Sequence, residues 1–382
     1  MKKKILTKLQ PIGLHDTNNH IAQFVWKFCE DFYSEVVAID NPGNLITSPL
    51  SAQVVLAMTA YGAGGETATQ MRSALFIPSN NELGQSGYQS LIEYLNAVNG
   101  VELRLANKIY TASNFEVKPA FRELTSQKFL SSIEEVDFND PSSAANTINT
   151  WCEEQTNNRI KNVIRSLDSS TLLMLVTAVY FKGQWEKKFD PSFTQDRPFY
   201  IDEKTTKSVP TMFIKREFRC GDIPELNAMF VEIPYEGQEL SMIIILPDEV
   251  NGLKTVQENL HQVDLSQYLQ RVSREVELYL PKFKIESTLD LNEILRKLGM
   301  TEMFGNKAEF SGIADIPLEV SKVIQKAFIE VNEEGSEAAA VTREMCRSSQ
   351  DCIRVNSEIV IILLHDSTQM MYEMVNELIF CI

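Results

Sequence analysis

Between Ala327 and Leu364, two strand-like runs flank a connector that is too bland for a core and too apolar for a disordered linker. Phe328, Ile329 and Val331 alternate as a strand does, and Ile359 to Leu364 form a second apolar run. Glu333, Glu334 and Gly335 read as a turn, with Gly335 supplying backbone freedom. The next seven residues are Ser336, Glu337, Ala338, Ala339, Ala340, Val341 and Thr342. Alanine propensity favours a short helix there, but so short a helix is marginal by itself. Side chains this small also suit a segment that becomes a strand by sliding between strands already in place. Residue chemistry alone leaves these two readings level.

EVNEEGSEAAAVT resembles the hinge of the serpins, protease inhibitors that trap their targets by changing conformation. The resemblance extends over nearly everything after residue 19. Ser48-Pro49 is a helix-start signal, and SPLSAQVVLAMTAYGAGGETATQM is similar to the family's second helix and its exit. RLANKIY at 104–110 and Val136-Asp137-Phe138 look like its core strands, and Ile148 through Ile160 like an amphipathic helix. Residues 172–190 alternate poorly, the pattern of a strand buried on both faces. They resemble a central strand of the large serpin sheet, with Trp185 at the breach where the loop first enters. Strands are also expected at Val209–Met212, Phe230–Tyr235, Leu240–Pro247 and Val276–Phe283, and helices at 19–37 and Leu289–Leu298.

The resemblance implies an α+β serpin fold of three β-sheets and about nine helices. It is expected as one domain over 1–382, with residues 1–18 an N-terminal extension and an exposed reactive-centre loop at about 333–357. It also places Ser48 and Ser51 in the shutter, where the sheet opens. Two positions depart from the family pattern there: Thr177 stands where Asn is usual, and Gln325 where His is usual. Gln325 can donate and Thr177 accept, so a hydrogen bond between them is expected to persist with altered chemistry.

The chain carries no GxSxG elbow and no HExxH, and its four histidines lack metal-ligand spacing. Gly62 to Gly65 is not followed by Gly-Lys-Ser/Thr, so the phosphate-loop pattern is incomplete. No enzymatic activity, cofactor or metal is expected. A net charge of −16 disfavours nucleic acid and anionic membranes. Residues 73–103 contain no Lys or Arg, which argues against a glycosaminoglycan partner. No run is apolar enough to span a bilayer, and a monomer is expected. MKKKILTKLQPIG lacks the apolar region of a secretory signal, and no Asn-x-Ser/Thr sequon occurs. With six scattered cysteines, these features point to a cytoplasmic protein, or to a secreted one if the chain is a trimmed mature form. Cys346 and Cys352 are expected as free thiols, the alternative being a loop disulfide in an oxidising setting.

As a serpin, the chain is expected to inhibit a protease that cuts its loop, either a trypsin-like serine or a papain-like cysteine protease. The alternative is a serpin-fold protein that does not trap, serving as substrate or binding partner. Arg347-Ser348 is the expected bond, because Arg347 lies 11 residues before Glu358, which aligns with the Pro that commonly opens the next strand. Counting 14 residues forward from Gly335 reaches Ser349 instead, so Ser349-Gln350 is the runner-up. If Ser336, Ala338, Ala340 and Thr342 face inward on insertion, alternation turns Glu344 inward too. Burying that carboxylate is costly, so insertion is expected to stall beyond Thr342.

Overall fold

A computed structural model describes residues 14–39, 44–98, 101–161, 163–269, 272–335, 352–365 and 378–381. The described residues open with α1 (Leu14–Val37), five residues ahead of the helix expected from spacing, followed by β1 (Leu45–Thr47) and α2 (Pro49–Ala60). All twelve residues of α2 are buried, which explains its mixture of small side chains and hydroxyls. Next come α3 (Gly65–Ala74), α4 (Asn81–Ala97), β2 (Val101–Ala112), α5 (Pro119–Lys128), β3 (Ser132–Val136) and α6 (Pro141–Gln155).

The helix expected to reach Ile160 stops at Gln155. Asn157 and Asn158 adopt φ of 50° and 58°, left-handed conformations that Asn tolerates and no α-helix accommodates. The segment beyond them crosses the sheet as a strap rather than as a helix.

β4 (Leu173–Gly183) follows, buried at every position but Lys182. Leu173, Leu175, Val179 and Phe181 join the core that contains α2, and Met174, Val176, Ala178 and Tyr180 join the cluster beneath α6. Burial on both faces is why the run does not alternate. Then come β5 (Gln195–Tyr200), β6 (Thr206–Ile223), β7 (Ala228–Pro234), β8 (Leu240–Pro247), α7 (Leu253–Asn259) and α8 (Ser266–Leu269). β9 (Arg274–Pro281), β10 (Phe283–Asp290), α9 (Asn292–Lys297) and β11 (Val320–Val331) precede the connector. Leu289 and Asp290 therefore end a strand and do not begin the helix expected there. Asp290 Oδ1 accepts from the Asn292 N–H at 3.1 Å, which starts α9 two residues later. β12 (Cys352–Arg354), β13 (Val360–His365) and β14 (Leu378–Cys381) complete nine α-helices and fourteen strands among the described residues.

Hydrogen bonding joins these strands into two networks, where three sheets were expected. One has five strands in the order β10-β11-β4-β2-β3. The other has nine, β1-β14-β13-β8-β7-β6-β9-β12 with β5 on β6. The long β6 explains the difference: Thr211–Phe218 pairs with β9 and Arg219–Ile223 with β7, so two sheets share one strand.

Candidate functional site

The five-stranded sheet has a seam. β4 and β11 run parallel and pair from Leu173/Val320 to Tyr180/Phe328, where the two rings stack with centroids 6.3 Å apart. Above that pair the ladder ends. Among the described residues, Phe181 to Gly183 pair only with β2, and Ile329 to Val331 only with β10. The two strands thus part at one end, and the chain leaves β11 at that end.

A tight turn closes the mouth of the gap. Asn332 Oδ1 accepts from the Glu334 N–H at 3.0 Å, an Asx turn, and Asn332 and Gly335 form an antiparallel bridge. Gly335 sits at φ +83°, a left-handed conformation. A Cβ there would lie 2.2 Å from the Gly183 carbonyl oxygen, 2.5 Å from the Trp185 nitrogen and 2.6 Å from the Gln184 Cα. All three are backbone atoms, so both conformation and space require glycine.

Trp185 binds the turn from the β4 side. Its N–H donates to the Glu334 carbonyl at 2.9 Å and its Nε1–H to the Asn332 carbonyl at 2.9 Å. The ring stacks on Tyr235 with centroids 4.6 Å apart. Glu333 accepts from Thr194 Oγ1 at 2.7 Å and pairs with Lys282 at 2.8 Å. Burial alone raises the Glu333 pKa, but the bonds from Lys282 and Thr194 and the lysine charge outweigh it and hold the carboxyl below its usual value. Glu334 is 5 % exposed, and its Oε2 has no hydrogen-bond partner among the described residues.

Lower on the seam, Asn107, Thr177, Gln325 and Leu289 form one transverse row across β2, β4, β11 and β10. Despite this register, Gln325 and Thr177 do not hydrogen-bond, contrary to expectation. Gln325 Oε1 instead accepts from Thr47 Oγ1 at 2.7 Å and the Ser48 N–H at 2.8 Å, and its Nε2–H donates to the Ser48 carbonyl at 2.8 Å. The longer amide reaches past its neighbouring strand to the start of α2. Ser48 caps that helix by accepting from the Ser51 N–H at 3.2 Å. Ser51 in turn donates its hydroxyl to Asn107 Oδ1 at 3.1 Å.

The Thr177 hydroxyl is buried without a partner among the described residues. Thr177→Val removes an unsatisfied group at nearly constant volume, so Tm is expected to stay within about 1 °C or to rise. A fall of several degrees in a thermal melt would show that the hydroxyl is bonded after all.

Asn107, Thr47, Thr194 and Lys282 were missed from sequence. Asn107 left a signal, an amide within the otherwise strand-like RLANKIY. The other three are ordinary surface-type residues until the fold assembles them. The hinge residues Ser336, Glu337, Ala338, Ala339, Ala340, Val341 and Thr342 lie outside the described residues, as do Arg347-Ser348 and Ser349-Gln350. Cys352 is a free thiol whose pKa burial pushes up, and Cys346 also lies outside the described residues.

A family model described as "Serpin (serine protease inhibitor)" matches residues 25–375. The chain is 41% identical to alaserpin of Manduca sexta over 343 residues, which covers 88% of this chain and 87% of that protein. It is 38% identical to antitrypsin of Bombyx mori over 334 residues, covering 86% and 85% respectively. The crystal structure of Serpin48 from Tenebrio molitor superposes with a TM-score of 0.85 at 30% identity, over 95% of this chain and 98% of that one.

Proposed function

The chain belongs to the serpin family, and on that premise we propose that it traps a protease by inserting its cleaved loop into the β4–β11 seam. The observation that carries this reading is the ladder that stops at Tyr180 and Phe328, with the Asn332–Gly335 turn seated at its open end. A strand continuing back from β11 through that turn runs antiparallel to β11. Because β4 is parallel to β11, the new strand is antiparallel to β4 as well. Insertion therefore replaces one parallel ladder with two antiparallel ones, whose pairing is slightly more stable per residue. That gain, together with burial of the small hinge side chains, is the driving force. Family members of this kind are inhibitors and not enzymes.

The reactive bond is Arg347-Ser348, with Ser349-Gln350 as runner-up, and the target is a trypsin-like serine protease. Arginine at the cleaved position supports this choice, as does similarity to a relative named antitrypsin. A papain-like cysteine protease is the second target class. The support for it is Glu344, whose inward turn on insertion leaves a shorter inserted strand and a weaker pull on the enzyme.

Incubation with trypsin and, separately, with a papain-like protease tests the proposal. The expected result is loss of protease activity, with mass spectrometry finding a released C-terminal peptide that begins at Ser348. A peptide starting at neither Ser348 nor Gln350 rejects both bonds. Cleavage with full retention of both protease activities rejects trapping and leaves a non-trapping substrate.

A further inference from the structure

In a chain with net charge −16, a place where cations outnumber carboxylates stands out. One lies in a cleft of about 730 Å³ on the α6-side face of the five-stranded sheet. Arg159, Lys161 and Arg165 reach it from the strap that leaves α6, and Lys322 and Lys326 reach it from β11. Among the described residues, only two carboxylates, Glu286 and Asp290, line the same cleft. Both are occupied: Asp290 pairs with Lys322 at 3.5 Å, and Glu286 with Lys326. Lys326 is 6 % exposed and also donates to Thr288 Oγ1 at 2.8 Å. Arg159 pairs at 3.5 Å with Glu330, outside the cleft lining. Lys161 and Arg165 are exposed and have no ion-pair partner among the described residues.

We infer that this cleft binds a compact oligophosphate, which bridges Lys161 and Arg165 of the strap to Lys322 and Lys326 of β11 and so holds the seam shut. Arginine forks and lysine ammonium groups converging from two sides match a ligand with several adjacent charged oxygens. A long polyanion is a poorer match, because beyond the cleft it would run over the surface of a strongly acidic protein.

The strap explains how occupancy bears on the seam. α6 packs on this same face of the sheet, over β2, where Trp151 meets Tyr110 edge-on at 6.2 Å and Ile148 lies buried in the same cluster. Asn149 ties the strap to α6 twice, donating to the Ile164 carbonyl at 3.0 Å and accepting from the Ile164 N–H at 2.8 Å. At the other side Ile164 shares a buried cluster with Ile324 of β11, and Arg159 pairs with Glu330. The strap thus spans the β4–β11 seam, held to both sides. A ligand that joins the strap to Lys322 and Lys326 strengthens the β11 attachment, and opening the seam requires its release. This consequence rests on the insertion reading, whereas the binding site does not.

Isothermal titration of the full chain with sodium tripolyphosphate at low ionic strength is expected to show one saturable site. The variant Lys161→Ala/Arg165→Ala should bind at least about tenfold more weakly, because two charge-assisted contacts are lost. Both residues are exposed, so its Tm without ligand should match the wild type. Saturating tripolyphosphate should slow protease inhibition at least about threefold in the wild type and leave the variant unaffected. Slower hydrogen exchange of β4 and β11 amides reports the same fastening even if no protease is trapped. Heat no greater than that from sodium chloride of equal ionic strength, or unchanged affinity in the variant, overturns the site. Tighter binding of heparin or DNA than of tripolyphosphate overturns the compact ligand. Variant-sensitive binding that changes neither inhibition rate nor exchange overturns the fastening.

Discussion

Gly335→Pro is expected to lower Tm by about 4 °C and to abolish the stable protease complex while leaving the loop cleavable. Proline fixes φ near −65°, and the turn requires +83°. It also removes the N–H that donates to the Asn332 carbonyl at 3.3 Å. The ring cannot be relieved by a side-chain shift, because the Gly183 carbonyl, the Trp185 nitrogen and Gln184 Cα surround the position. The turn must leave the gap, breaking the Trp185-to-Glu334 bond as it goes. About 3 kcal/mol of strain and lost bonding, spread over a protein this size, gives the stated fall in Tm. Insertion then fails because its starting point no longer faces the seam. Gly335→Ala should do nearly as much, since its Cβ meets the same backbone. Thermal melts and gels of the protease reaction read both effects. A proline variant that keeps its melting temperature and its covalent complex would falsify the assignment of the turn as the entry point.

Gln325→Leu is the second large effect, expected to lower Tm by about 4 °C and to speed amide exchange along β4 and β11. Gln325 is 1 % exposed and makes three hydrogen bonds, to the Thr47 hydroxyl and to both backbone groups of Ser48. Leucine fills a similar volume but removes the acceptor that serves two buried donors, each worth roughly 1–3 kcal/mol when stranded. The same bonds tie β11 to the start of α2, so their loss frees one wall of the seam. Thr177→Val, one strand away in the same row, should do neither. That contrast guards the interpretation, because both substitutions exchange a polar side chain for an apolar one at the seam. Equal melting temperatures for the two variants would mean that Gln325 does not anchor the strand.

Several features were legible in the residues alone because their causes are local. Poor alternation from Leu172 onward follows from burial on both faces of one strand, and the small side chains after Gly335 are a property of one short stretch. Gly335 could be picked out as a turn because a left-handed position constrains one residue type. Helix ends were less legible: the stop at Gln155 depends on two consecutive asparagines adopting positive φ, which Asn permits but does not require. The joining of two of the sheets into one network was illegible for a similar reason, since nothing within β6 announces that its two halves pair with different strands.

Partner choice was decided by the fold. Gln325 and Thr177 are neighbours in register, yet the amide goes to Thr47 and Ser48, 277 or more positions away in sequence. Lys282 and Thr194 meet at Glu333 from two separate connections, one between β9 and β10 and one just before β5. Arg159, Lys161 and Arg165 face Lys322 and Lys326 only because the strap folds back over β11. Periodicity and turn chemistry report on neighbours along the chain. Hydrogen bonds and charge clusters depend on which distant groups the packed sheets bring within about 3 Å, and that distance is a tertiary fact.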